Sequence, residues 1–148
     1  MDYLFCTWWA YKIWKWLPPH KIKCFFWLLL HHRVLTWENL CRRGWQGPGR
    51  CSLCLNHNET ITHLFIDCSF TIQLWQSLCR ALNIVWTWTY SSLHDCFSQW
   101  ITEHKDHRTL PLFIYWGIWL HRNRRIFDGA DINPFITGMR ILVLYKDY

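Results

Sequence analysis

Residues 51–68, CSLCLNHNETITHLFIDC, place three cysteines and two histidines within eighteen positions. Read as metal ligands they give Cys51-x2-Cys54-x8-His63-x4-Cys68. Two thiols separated by two residues can face one ion from a tight turn, and a loop of eight residues returns the second pair to complete a tetrahedron. Four thiolate and imidazole donors with no open position describe structural zinc, because a catalytic site keeps a place for water. Arg50, next to the first cysteine, favours its thiolate form. His57 in place of His63, or Cys79 in place of Cys68, gives no better loop. A redox Cys-x-x-Cys pair expects a strand before it and a helix after it. Here Gly47-Pro48-Gly49 precedes Cys51, and the loop-like Leu55-Asn56-His57-Asn58-Glu59 follows Cys54. The isolated Cys6, Cys24, Cys41, Cys79 and Cys96 read as small core residues.

Helices must position these ligands. Pro18 and Pro19 suit the first turn of a helix whose apolar stripe is Ile22, Phe25, Phe26 and Leu29, with Lys21, Lys23 and His32 off the stripe. Thr36 is placed to cap a short helix, TWENLCRR, that Gly44 stops. Thr60 is placed to cap a short helix that carries His63, with Cys68 at its end. Ser69 is read as the cap of a helix with the stripe Phe70, Leu74, Trp75 and Leu78, and residues 82–90 as a short strand or an extended packing segment. Ser91 or Ser92 opens a helix with Leu93, Phe97, Trp100 and Ile101 on one face. Residues 103–108, EHKDHR, form the clearest polar linker. Pro111 starts a helix that Asp128-Gly129 ends, with Arg122, Arg124 and Arg125 against the negative end of its dipole. Asn133-Pro134 opens a last helix.

At 148 residues, 51% hydrophobic and rich in tryptophan, the chain has the apolar surface for a packed core. Charge is unevenly placed. Residues 1–50 hold eight Lys or Arg against Asp2 and Glu38, and the remainder is balanced. A basic face of this kind suits a polyanion, and it is equally the composition of a solvated surface. Trp8, Trp9, Trp14 and Trp16 read as core or interface residues before stacking platforms. The longest apolar run, Cys24 to Leu30, falls far short of the ~20 residues of a membrane span, and no basic leader precedes the apolar start. The expectation is a soluble, intracellular chain with cysteines in a reducing compartment.

The run LPPHKIKCFFWLLLHHRVLTWENLCRRG, followed by CSLC, ETITHLFIDC and IQLW, resembles the zinc-binding domain found after the polymerase in plant non-LTR (LINE-type) retrotransposon reverse transcriptases. The resemblance covers roughly residues 8–80 and implies the same ligands, Cys51, Cys54, His63 and Cys68. Further on, YWGIWLHRNRRIFDG resembles the segment that links this domain to a ribonuclease H domain. No Tyr-x-Asp-Asp motif occurs, and the ten acidic residues are scattered singly. The carboxylate cluster required by two-metal phosphoryl chemistry is therefore missing.

These readings give a mainly α fold, a small helical domain around one structural Cys3His zinc site with few or no strands. The expected organisation is a zinc-binding domain over 1–80, a connecting segment with one helix over 81–109, and a Trp/Arg-rich helical segment over 110–148 cut off before a further domain. The expected function is non-enzymatic: one Zn2+, and nucleic acid, RNA or DNA, contacted through Lys21, Lys23, Arg33, Arg42, Arg43 and Arg50. The alternative is a scaffold that spaces neighbouring polymerase and ribonuclease H domains. Neither membrane nor small-molecule substrate is expected, and action at chromosomal DNA would place the chain in the nucleus.

Overall fold

Apolar residues recurring at helical spacing need a common face to bury, and the chain supplies one at the crossing of its longest helices. The structure, a computed structural model, describes residues 13–16, 18–87, 92–131 and 133–148. A 3-10 turn, Ile13–Lys15, leads into α1 (His20–Leu30) and the short α2 (Trp37–Arg42). A π-helical turn, His63–Asp67, precedes α3 (Ser69–Ala81), and α4 (Leu93–Glu103) follows. A second 3-10 turn, Lys105–His107, then leads to α5 (Leu110–Asp128) and α6 (Pro134–Lys146). No strand occurs among the described residues; one isolated antiparallel bridge joins Arg50 and Asn58. The mainly α expectation holds. No helix among the described residues is long and apolar enough to cross a membrane.

The predicted stripes are the buried faces. Ile22, Phe25, Phe26 and Leu29 of α1, Phe70, Leu74, Trp75 and Leu78 of α3, and Leu93, Phe97, Trp100 and Ile101 of α4 all enter one core. Helix α3 packs chiefly on α6, and α5 packs on both α6 and α1. Covered on two sides, α5 is apolar nearly all round over its first turns, burying Leu110 to Tyr115 without a break. The middle of the core is aromatic. Phe26 stacks on Tyr115 at 6.0 Å and meets Phe97 edge-on at 4.6 Å, while Trp75 meets Trp100 edge-on at 5.2 Å. Such pairs each add about 0.5–1.5 kcal/mol beyond their burial.

Local signals place most helix ends. Ser92 accepts the Asp95 N–H, Asn133 accepts those of Phe135 and Ile136, and Gly129 ends α5 in the left-handed conformation (φ 64°). Other expectations need correction. Thr36 holds the cap position of α2 without a side-chain bond to the helix, and the Trp37 N–H is taken by Glu59 Oε1 at 2.9 Å. Ser69 is the first residue of α3, whose cap is Cys68. The described part of 82–90, through Thr87, forms no strand; the chain turns at Leu82 and Asn83, the latter left-handed at φ 55°, and Trp86 stacks on Trp75 at 5.6 Å. The polar stretch after Glu103 is a docked 3-10 turn, in which the His107 carbonyl accepts from Trp100 Nε1 (2.8 Å) and Nδ1 lies 2.7 Å from the Tyr145 hydroxyl. Trp16 is buried and Trp14 is 37% exposed, whereas Trp8, Trp9 and Cys6 lie outside the described residues. Cys79 and Cys96 are core, Cys24 is half-buried, and Cys41 is exposed, contrary to its reading as core.

Candidate metal centre

Two short devices build the site. The first is a hairpin: the Glu59 N–H donates to the Gly49 carbonyl (2.7 Å), the Cys51 N–H to the His57 carbonyl (2.7 Å), and Arg50 bridges Asn58. Gly49 takes φ +68°, a turn conformation that costs glycine nothing. Inside this hairpin the chain from Cys51 to Leu55 closes a helical turn, with the Leu55 N–H on the Cys51 carbonyl at 2.9 Å. Leu55 then turns left-handed at φ 61°, and the Asn56 N–H points at Cys54 Sγ from 3.5 Å.

The second device carries His63 and Cys68. Thr60 Oγ1 accepts the His63 N–H at 3.0 Å, as the sequence suggested. The chain then widens, so that the Cys68 N–H donates to the His63 carbonyl, five residues back, at 2.7 Å. The widening solves a problem of angle. Five residues of α-helix rotate by about 500°, leaving the two side chains roughly 140° apart. The π turn, rare and frequent at functional sites, brings them to one side. Cys68 also caps α3, where its sulfur feels the amides of Phe70 and Thr71 at the positive end of the helix.

The ligating atoms of Cys51, Cys54, His63 and Cys68 all lie within 4.8 Å of one another. Cys51 Sγ and Cys68 Sγ are 3.8 Å apart, and Cys54 Sγ is 3.3 Å from His63 Nε2. A zinc tetrahedron with the usual bond lengths has S···S edges of about 3.8 Å and S···N edges of about 3.6 Å. The cysteines are free thiols, and 3.8 Å is no disulfide distance. Cys51, Cys68 and His63 are buried, and Cys54 lies at the edge. His57, the alternative ligand, is exposed, with Nδ1 4.0 Å from Cys54 Sγ and its ring 5.0 Å from that of His63; it flanks the four donors without joining them. Cys79 is buried in α3 and outside the cluster.

Charge explains what the arrangement needs. The Cys51 thiol is drawn down to about 5, chiefly by the hydrogen bond from Cys68, with burial opposing and the Cys54 and Leu53 amides assisting. Cys68, the donor in that bond, is pushed up by it and by burial. The pair thus keeps one proton. Losing it would leave two thiolates face to face in a buried site, a cost that a divalent cation removes.

Sequence reasoning missed the group that ties this loop to the rest of the fold. Glu59, 1% exposed, accepts from Arg122 Nε on Oε2 (3.0 Å) and from Nη2 on Oε1 (2.6 Å), besides capping α2. The guanidinium lies over the Trp119 ring at 4.6 Å. Arg122 is therefore a buried partner of the metal loop, not a solvated charge at the end of α5.

The basic residues divide. Lys21, Arg33, Arg42, Arg43 and Arg50 are exposed. The Lys23 ammonium instead donates to the carbonyls of Trp14 (3.2 Å) and Trp16 (2.9 Å), which ties the N-terminal turn to α1 and removes it from the free cations. Lys21 lies in the first turn of α1, and Arg33 follows its C-terminal end after the left-handed His32. Arg42 and Arg43 close α2 and are followed by Trp45, which is 66% exposed. Arg50 opens the metal hairpin.

With this geometry in place, comparison with known proteins is decisive for the first half of the chain. Residues 5–75 match the family described as zinc-binding in reverse transcriptase. That stretch is similar to the zinc-binding domain of reverse transcriptases. The match contains the whole metal cluster, and donor chemistry and family agree on one structural zinc. An Arabidopsis thaliana protein named "Putative ribonuclease H protein At1g65750" is 26% identical over 122 residues, covering 78% of this chain. The chain spans about a fifth of that relative's length, 19%. No solved structure matches the chain.

Proposed function

We propose that Cys51, Cys54, His63 and Cys68 are the four zinc ligands of a non-enzymatic module, derived from a retrotransposon reverse transcriptase, that contacts nucleic acid beside its metal hairpin. The observation that carries the nucleic-acid reading is the placement of Arg42, Arg43, Trp45 and Arg50: three exposed guanidinium groups and an exposed indole, all within nine residues that lead into the zinc loop. Arginines neutralise phosphates, and an exposed indole stacks on an unpaired base. Lys21 and Arg33 extend the basic surface along α1. A closed four-donor site, which leaves no position for water, supports a structural metal without catalysis of its own. In its parent polyprotein the module would stand between polymerase and ribonuclease H domains, inside the cell and at chromosomal DNA in the nucleus.

Binding of the zinc-loaded chain to labelled single-stranded RNA and DNA across a salt series tests this reading. Three phosphate contacts give a slope of about −2 in log K against log salt. Arg42→Ala with Arg43→Ala should flatten that slope, and Trp45→Ala should cost about 1–3 kcal/mol without changing it. A folded protein that binds neither strand at low salt would overturn the nucleic-acid role. Cys54→Ser and His63→Ala should each abolish zinc retention; full zinc content in both would overturn the ligand assignment.

A scaffold role is favoured by a different surface. Ile136, Met139 and Val143 recur at helical spacing on α6 and are all more than half exposed. Such a row suits contact with a neighbouring domain.

A further inference from the structure

The four donors of the metal centre are not equally shielded. Cys51 and Cys68 are 0% exposed and His63 is 8% exposed. Leu53, Ile61, Leu64 and Ile66, the apolar residues beside them in the chain, are buried as well. Cys54 is only half-buried, and the groups nearest its sulfur stand at the surface: the Asn56 N–H at 3.5 Å and His57 Nδ1 at 4.0 Å. Residues 55–58 are all exposed. A reagent arriving from solvent therefore meets one sulfur of the site before the other two.

Sulfur in this setting is nucleophilic. A thiol that coordinates a metal is deprotonated outright, and oxidation by peroxides follows thiolate character and exposure together. Elsewhere the two properties are separated. Cys79 and Cys96 are buried, which pushes both thiols up to about 12, and Cys41 is exposed but outside the cluster. A second thiol is also in place to complete the chemistry. Cys51 and Cys54 lie on one helical turn, closed by the Leu55 N–H on the Cys51 carbonyl. That turn sets their Cα atoms about 5 Å apart, inside the range a disulfide spans. Their sulfurs already lie within 4.8 Å. Cys68 stands on a different segment, fixed as the cap of α3.

We propose that Cys54 is a modification site for hydroperoxides, through which oxidation opens the metal centre. The inference rests on the ligand assignment proposed above. The Cys54 thiolate attacks the peroxide: an S–O bond forms, the O–O bond breaks, and the departing oxygen takes a proton and leaves as water or an alcohol. Cys54 is oxidised by two electrons to a sulfenic acid and the peroxide is reduced. The Cys51 thiolate then attacks the Cys54 sulfur, an S–S bond forms, and hydroxide leaves and takes a proton to become water. The disulfide removes two of the four donors, and Cys68 and His63 alone are too few to complete a tetrahedron. The hairpin that carries Arg50 loses its brace, so the same event dismantles the nucleic-acid surface placed beside it.

The test uses the full chain carrying Cys41→Ser, which removes an exposed thiol outside the site. Zinc content is measured first; a folded chain without zinc overturns the ligand assignment, and this inference with it, before any oxidant is added. Hydrogen peroxide is then added to the zinc-loaded protein. A chromogenic chelator follows zinc release, and peptide mass spectrometry with dimedone, a trap for sulfenic acids, locates the oxidised sulfur. Dimedone should label Cys54 at least about tenfold ahead of Cys51 and Cys68, in step with zinc release. Without the trap, a Cys51–Cys54 disulfide should accumulate, and dithiothreitol with added zinc should restore the loaded protein. Labelling of Cys51 or Cys68 first, zinc release with Cys54 unmodified, or a disulfide that excludes Cys54 would overturn the proposal while leaving the zinc ligands in place, so the two failures are distinguishable.

Discussion

Removing one partner of the Glu59–Arg122 pair should unsettle the metal loop from the opposite side of the fold. Side-chain exposure is 0% for Glu59 and 5% for Arg122, so neither charge can turn to water when its partner is lost. Arg122→Met strands a buried carboxylate that keeps only the Trp37 N–H, and a broken buried pair of this kind costs about 3–5 kcal/mol. Glu59→Gln preserves an acceptor for Trp37 but faces the guanidinium with a neutral group. Exchanging both residues removes the stranded charges, so the double variant should be more stable than the sum of the single losses predicts, with a coupling of about 2–3 kcal/mol. Against a total stability of about 5–15 kcal/mol, either single change is a large fraction. Urea unfolding of the four zinc-loaded proteins, with zinc content measured in each, completes the cycle. Additive losses, or single losses under about 0.5 kcal/mol, would refute the view that this pair anchors the hairpin.

Three other outcomes follow from the same structure. Chelation should remove the cooperative unfolding transition, because structural zinc contributes about 10–16 kcal/mol, as much as a domain's whole stability; zinc and not magnesium should restore it. Gly117→Leu should lower the thermal midpoint by several degrees, at about 1–3 kcal/mol of overpacking, since its side chain would occupy the place of Ile141; an unchanged midpoint would show that α5 and α6 are free to separate. His104 and His121 are both held below the ordinary imidazole value, chiefly by burial. The unfolded chain therefore takes up their protons first as pH falls, and the stability they contribute is complete above about 6.5 and is lost as pH drops through their folded values. NMR titration of the two rings should give midpoints below 6.5, and midpoints above it would reverse the sign.

Most of the helical frame was legible because its signals are local. Three stripes at 3.6-residue spacing became three buried faces, and Ser92, Asn133 and Gly129 acted where their side chains or their backbone freedom allow. The clustering of Cys51, Cys54, His63 and Cys68 was legible for the same reason, each pair lying within a few residues. What escaped was long-range. Glu59 and Arg122 are 63 residues apart, so no window of sequence contains both. Arg122 read as a helix-end charge, and Lys23 as a free cation, because composition does not say which carbonyl or carboxylate a long side chain will find. Thr36 looked like a cap, but the Glu38 amide within a cap's reach goes to the Glu59 carbonyl, and the Trp37 amide to the Glu59 carboxylate.

The π turn between His63 and Cys68 also bears on how this motif tolerates changes in length. A single helical register admits two spacers at this point, four residues wound as a π turn or three wound as an α turn, since a separation of four rotates the side chains by only about 40°. One residue can thus be gained or lost there while the imidazole and thiolate stay on one side. The Cys51–Cys54 turn has no such second solution, because its Cys51–Leu55 closure and left-handed Leu55 fix both sulfurs at once. Insertions and deletions should accumulate in the second half of the site and be purged from the first.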